Sequence, residues 1–197
     1  VSDLVECLIR LAAKYRVYLV TSLPERADDV WYHTALVAGS EGVSGKYRKI
    51  HLSAEDRGWA APGDLGFLTF DLSIGRVGLL VGYDLLFPES SVCLAAWGCD
   101  LICVPSAVRS PRPIGLGPTE IPFPPPIPRG EDPLHFLLWR VRAEQASAYL
   151  LFSNYPGDGY AGRSGIFGPE LEAFPRNEVV LSQDREETGS AVIDLTD

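Results

Sequence analysis

The chain has 197 residues, 46% of them apolar and 22% charged, with 17 basic and 26 acidic side chains and a net charge of −9. That length suits one domain with a substantial core. The acidic balance argues against a nucleic-acid partner, which needs a basic surface. No apolar run approaches the roughly 18 residues of a membrane span, and residues 1–20 lack the basic start and unbroken apolar core of an export signal.

Residues 3–14 have helical spacing, with Leu4, Leu8, Leu11 and Ala12 on one face and Ser2 or Asp3 available as N-cap. Val17 to Ser22 reads as a short apolar strand, Pro24 to Asp29 as a polar turn, Val30 to Ala38 as a strand and Gly39 to Gly42 as the next turn. A basic strand follows from Gly45 to Leu52, holding Lys46, Arg48 and Lys49. Such a cluster is usually a solvated face and occasionally an anion site. Alternation puts Tyr47 and Lys49 on one face and Lys46 and Arg48 on the other. Ser53 to Leu65 reads as a loop carrying Glu55, Asp56, Trp59 and Pro62-Gly63. Trp59 suits a core anchor better than a pocket lid.

Phe67 to Leu72 is the next expected strand, and Ser73-Ile74-Gly75 its turn. Val77 to Val81 is almost continuously apolar, which fits a strand buried on both faces. Gly82 ends it, Tyr83 and Asp84 turn the chain, and Pro88-Glu89 suits the first turn of a helix to Trp97. Strand, tight turn and helix in that order form an elbow, which can hold a nucleophile beside backbone N–H groups. The elbow residue here is glycine, which has no side chain to attack with. Gly98-Cys99-Asp100 stops the helix, and Leu101 to Val104 is a further buried strand, so a parallel crossover is expected.

Residues 105–133 are crowded with proline and cannot form a regular helix or central strand. They form either an ordered flap or a polyproline docking segment. Their place after a strand's C-terminal end favours the flap. Pro133 to Tyr149 is expected as a helix, and Leu150 to Ser153, Arg163 to Phe167, Val179 to Ser182 and Ser190 to Leu195 as strands. Cys7, Cys93, Cys99 and Cys103 form no standard metal or redox motif, and His33, His51 and His135 are scattered. Buried, reduced thiols fit a cytoplasmic compartment. The chain has no methionine and begins at Val1, so it is expected to start partway into a longer protein.

With these elements placed, the chain resembles the nitrilase superfamily of carbon–nitrogen hydrolases. The resemblance rests on Tyr-Arg-Lys-Ile-His-Leu at 47–52, Pro62-Gly63, Val-Gly-Leu-Leu-Val-Gly-Tyr-Asp-Leu-Leu-Phe-Pro-Glu at 77–89 and Gly-Cys-Asp-Leu-Ile at 98–102. It continues through Arg-Val-Arg-Ala-Glu-Gln at 140–145, Ser-Asn-Tyr-Pro-Gly at 153–157 and Gly-Arg-Ser-Gly-Ile-Phe-Gly-Pro at 162–169.

The resemblance implies an α/β fold, an α-β-β-α sandwich, here lacking its first strand and helix, as a single domain over 1–197 with the Pro-rich loop at 105–133. It implies hydrolysis of an amide, nitrile or carbamoyl compound by a Glu-Lys-Cys triad through an acyl-enzyme, with no metal or organic cofactor. Lys49 matches the family lysine. Glu55 is the expected second acid, with Asp56 next to it as the alternative. The nucleophile position is Gly82, the first-glutamate segment would lie upstream of residue 3, and Gln145 replaces a common asparagine. Tyr83, Trp59 and Asn154 are the expected substrate-binding residues. A hydrolase lineage whose chain is inactive as written, a pseudoenzyme that keeps the pocket, and a docking scaffold are the three readings. A homodimer or larger homo-oligomer is expected, through the helices at 88–97 and 133–149.

Overall fold

A computed structural model describes residues 2–109, 133–170 and 178–195. Helix α1 (Ser2–Tyr15) leads into an antiparallel meander of β1 (Leu19–Ala27), β2 (Val30–Gly39) and β3 (Gly42–Arg48). A second sheet of six strands has the order β4 (Thr69–Leu72), β5 (Gly75–Leu79), β6 (Leu101–Pro105), β7 (Tyr149–Ser153), β8 (Gly165–Phe167) and β9 (Glu178–Val180). Its centre, β5-β6-β7, is parallel, with α2 (Pro88–Ala96) and α3 (Pro133–Ala146) in the crossovers, and its outer pairs are antiparallel. Parallel strands need such crossovers because a tight hairpin can only reverse direction.

Alternation sorts the layers. Leu23, Leu36 and Ala38 face outward from the first sheet and are covered by Val5, Leu8 and Ile9 of α1. Ala35, Val37 and Tyr47 face inward and share a core with Val77, Leu79, Ile102 and Val104 of the second sheet. Trp139, Ala143 and Ala146 of α3 belong to that core, with the Trp139 ring 4.8 Å from Phe152. The result is helix, sheet, sheet, helices, the α-β-β-α arrangement the resemblance implies.

Several sequence expectations are corrected. Pro24 to Ala27 is strand, not turn, paired with Val30 to His33. Proline is tolerated there because β1 lies at its sheet's edge. The third helix ends at Ala146, where Ser147 turns left-handed at φ 47°, so Tyr149 opens β7 instead of closing the helix. Ser190 to Leu195 forms no ladder. Ile193 and Leu195 contribute only their side chains to the core. Most of the Pro-rich segment, residues 110–132, lies outside the described residues, and the choice between flap and docking segment lies there with it. Among the described residues no helix is long and apolar enough to cross a membrane.

Candidate active site

The elbow is built by two buried polar side chains. Asp84 is fully buried, and its carboxylate accepts hydrogen bonds from the backbone of Val81 at 3.0 Å and His51 at 2.9 Å, and from the His51 ring at 3.0 Å. From the outer layer, Arg142 of α3 donates to the carbonyls of Leu85 and Leu86 and to Gln145 Oε1. Gln145 therefore holds the arginine that holds the turn. Gly82 sits at the bend with φ +35°, a conformation side-chain-bearing residues seldom adopt. A Cβ there would lie 3.1 Å from Val108 Cγ2 and 3.4 Å from Ser106 Oγ.

Two other nearby groups do not replace a nucleophile. Ser90 and Asp84 both contact His51, but Ser90 Oγ (3.4 Å) and Asp84 Oδ1 (3.0 Å) address the same ring nitrogen, Nδ1. A relay needs opposite nitrogens. Ser106 Oγ donates to Val104 O at 3.1 Å. Among the thiols, burial pushes Cys99 and Cys103 up to about 12, so both stay protonated and inert near neutral pH. Cys93 lies within α2 and not at the bend residue.

Lys49 directly follows β3 and donates its backbone N–H to His33 O at 2.8 Å, extending the ladder by one step. It is buried, and its Nζ donates to Asp56 Oδ2 at 2.6 Å. The loop acid at Lys49 is thus Asp56. Glu55 is turned outward, where it accepts from Arg109 Nε at 2.8 Å. The local cause is reciprocal bonding around a short 3-10 turn: Ser53 N donates to Asp56 Oδ2, and Asp56 N donates to Ser53 Oγ. Ser-x-x-Asp is a capping-box pattern, and that spacing was the available signal for choosing Asp56. Burial alone would raise the Asp56 carboxyl. Bonds from His33, Lys49 and Ser53 outweigh it and hold the group well below the usual carboxylate range.

The Pro62-Gly63 motif has a steric explanation. Gly63 N donates to Lys49 O at 2.8 Å, and a Cβ on Gly63 would fall 1.9 Å from Arg48 O. Only glycine lets the loop close onto the strand that carries the lysine.

His33 is the residue the sequence reading passed over. Its Nδ1 lies 3.0 Å from Asp56 Oδ1, so His33, Asp56 and Lys49 form one chain. Cross-strand register causes this: Thr34 pairs with Arg48, so the next rung sets His33 beside Lys49 on the inner face. Nothing in the residue pattern around His33 singles it out. His33, Trp59, Tyr155, Ser106, Ala107 and Pro24 help to line a cavity of about 410 Å³. Ser106 ties this cavity to the elbow. Trp59 is a wall of the cavity and 41% exposed, so the expectation of a core anchor is corrected. Its ring leans on His33 at 5.5 Å.

Tyr83 and Asn154 stand differently from Trp59. The Tyr83 ring packs edge-on against Phe87 at 5.6 Å. Asn154 clamps two loops: Oδ1 accepts from Val108 N, and Nδ2 donates to Val108 O and Gly162 O. Those bonds occupy its polar atoms, so the structure gives it a scaffolding part. Asn154 also lines a larger, mainly apolar cavity of about 600 Å³ between the sheets, which includes neither Lys49 nor His33. Among the described residues no group of three or more His, Cys, Asp or Glu side chains is arranged to hold a metal ion.

The family model described as "Carbon-nitrogen hydrolase" matches residues 2–197. The chain belongs to the carbon–nitrogen hydrolase family. It is 34% identical over 190 residues to a nitrilase of Pyrococcus abyssi, covering 95% of this chain and 63% of that one. Among solved structures it is similar to Saccharomyces cerevisiae Nit3, a member of branch 10 of the nitrilase superfamily. There the TM-score is 0.70 and the identity 25%, over 92% of this chain and 62% of that chain. It is also similar to a cysteine-to-alanine mutant of the amidase from Nesterenkonia sp. AN1 in complex with butyramide. That TM-score is 0.69 and the identity 25%, over 86% of this chain and 60% of that chain. The chain thus spans somewhat under two thirds of the length of these relatives.

Proposed function

We propose that this carbon–nitrogen hydrolase domain binds a small amide, nitrile or carbamoyl compound without forming an acyl-enzyme. The observation that carries the reading is Gly82 at the elbow, where the family resemblance expects the nucleophilic cysteine. Covalent catalysis needs an attacking atom, and glycine offers none. The two thiols in the adjoining strand and turn, Cys99 and Cys103, are buried and protonated. The retained Lys49–Asp56 pair and the neighbouring cavity support the binding half of the reading. The butyramide complex of a cysteine-to-alanine amidase mutant supports it by likeness, since that protein holds an amide with a cysteine removed.

The test is a calorimetric titration with butyramide, followed by intact-mass measurement of the incubated protein. Saturable binding with unchanged mass is expected. A covalent acyl adduct, or no binding, overturns the reading.

We extend the reading to assembly. Val92 on α2, Trp97 just past its end and Val141 on α3 are exposed where the two helices pack together, an apolar outer face suited to a second copy. Light scattering on the eluting protein is expected to give a dimer or larger, and a monomer overturns it. The four free cysteines favour a reducing, cytoplasmic setting.

A further inference from the structure

The cavity meets the buried lysine-carboxylate pair through one side chain, His33. Its Nδ1 is within 3.0 Å of Asp56 Oδ1, while the other carboxylate oxygen receives the Lys49 ammonium at 2.6 Å. An ionised carboxylate only accepts hydrogen bonds, so the proton of this contact belongs to His33 Nδ1. A neutral ring in that tautomer has its lone pair on Nε2. No second hydrogen bond to the ring is found among the described residues. The ring is neither deeply buried nor free to swing: its side chain is 18% exposed, and Trp59 packs on it at 5.5 Å. The cavity has about 410 Å³, and a water molecule takes about 30 Å³ of liquid volume, so a small amide and a water fit together.

We propose that His33, oriented by Asp56, is a catalytic base that activates water directly against an amide held in this cavity. The domain would then hydrolyse slowly with no covalent step. The inference rests on the small-amide reading of the site. A water beside Nε2 gives a proton to the ring as its oxygen bonds to the amide carbon. The ring returns that proton to the amide nitrogen as the C–N bond breaks, leaving a carboxylic acid and ammonia. Butyramide and water give butyric acid and ammonia, and no other reactant is needed. Asp56 balances the positive charge that the ring carries between the two transfers, as an orienting carboxylate does for other catalytic histidines.

The position of His33 separates it from the other histidine in a comparable contact. His51 also meets a buried aspartate, but its Nδ1 is shared with the backbone-capping Asp84 and with Ser90, and its ring is stacked on Phe87 at 3.9 Å. His51 does not line the cavity. Its bonds serve the elbow, whereas the one bond of the His33 ring leaves the second nitrogen for chemistry.

The experiment measures ammonia release from butyramide by the full chain, alongside calorimetric binding of the same amide. The unmodified protein is expected to release ammonia slowly. His33→Gln is expected to lower kcat by about a hundredfold or more, the usual share of general base catalysis, while KM stays within about twofold. His33→Asn, whose side-chain amide can still donate to Asp56, provides a second variant if the glutamine disturbs folding by circular dichroism. Butyramide that binds but is not hydrolysed, or hydrolysis that persists at the wild-type kcat in either folded variant, overturns the role of His33 and leaves the binding reading standing. Absence of butyramide binding overturns the binding reading itself.

Discussion

Lys49 Nζ and Asp56 Oδ2 meet at 2.6 Å with both side chains almost wholly removed from solvent, while Glu55, one residue earlier, reaches out to Arg109. Removing one partner of a buried pair strands the other charge. Asp56→Asn is therefore expected to cost about 3–5 kcal/mol. Glu55→Gln, breaking a pair with both members largely exposed, is expected to cost under about 1 kcal/mol. Urea denaturation of the two variants measures the contrast, and equal losses would show that Asp56 does not anchor the lysine.

Gly63 has no room for a methyl group against Arg48 O. Gly63→Ala must lift the loop off β3 and lose the bond from Gly63 N to Lys49 O. A loss of about 1–3 kcal/mol is expected, typical of overpacking, together with weaker butyramide binding because Lys49 shifts. Thermal denaturation and calorimetry on the same sample read both effects.

The outer face of the first sheet carries a charge network with a pH signature. Glu25 accepts from Arg48, Lys46 and Thr34, and Arg48 also holds Asp64 and lies over the Tyr32 ring. The Arg48 guanidinium foremost lowers the Glu25 carboxyl from its ordinary 4.5 to about 2. A carboxyl that is more acidic in the folded state stabilises above its unfolded value and loses that contribution as pH falls toward its folded one. Stability from Glu25 is thus complete above about pH 4.5 and disappears on the way down to about pH 2. Glu25→Gln is expected to be less stable by about 1–2 kcal/mol at pH 7 and to show a shallower decline through that window. Urea midpoints across pH test it, and parallel curves for both proteins would rule it out.

Gly82 combines φ +35° with a tight approach to Val108. Gly82→Ala is expected to destabilise by about 1–2 kcal/mol, from a strained backbone and a crowded methyl group. Thermal melting of the variant checks it, and an unchanged midpoint would mean that the bend relaxes without cost.

The order of helices and strands was legible because hydrophobic spacing reports burial locally. Residues 3–14 were legible as a helix, but the expected stripe is corrected: Leu4 and Leu11 are exposed, and Val5, Leu8 and Ile9 cover Leu23, Leu36 and Ala38. Val77 to Val81 was legible as a strand from its unbroken apolar run, and it is buried between antiparallel β4 and parallel β6. Local pattern could not separate Lys49 from Lys46 and Arg48, and the family resemblance alone pointed to Lys49 and to the nucleophile position at Gly82. Pro24 misled because proline marks turns more often than edge strands, and the edge position of β1 is a property of the sheet, not of the local sequence.

What the chain's residues determined by themselves was the family, the order of most elements and the glycine at the elbow, all carried by short runs of neighbours, whereas the α-β-β-α layering was implied by the family resemblance. Tertiary structure decided which acid meets Lys49, that Trp59 lines a cavity instead of filling the core, and that His33 joins Asp56. These depend on contacts between residues up to tens of positions apart in sequence. Asp56 prevailed over Glu55 because a 3-10 turn aims adjacent side chains in different directions. His33 arrived beside Lys49 because antiparallel register sets distant residues side by side, and only the folded sheet fixes that register.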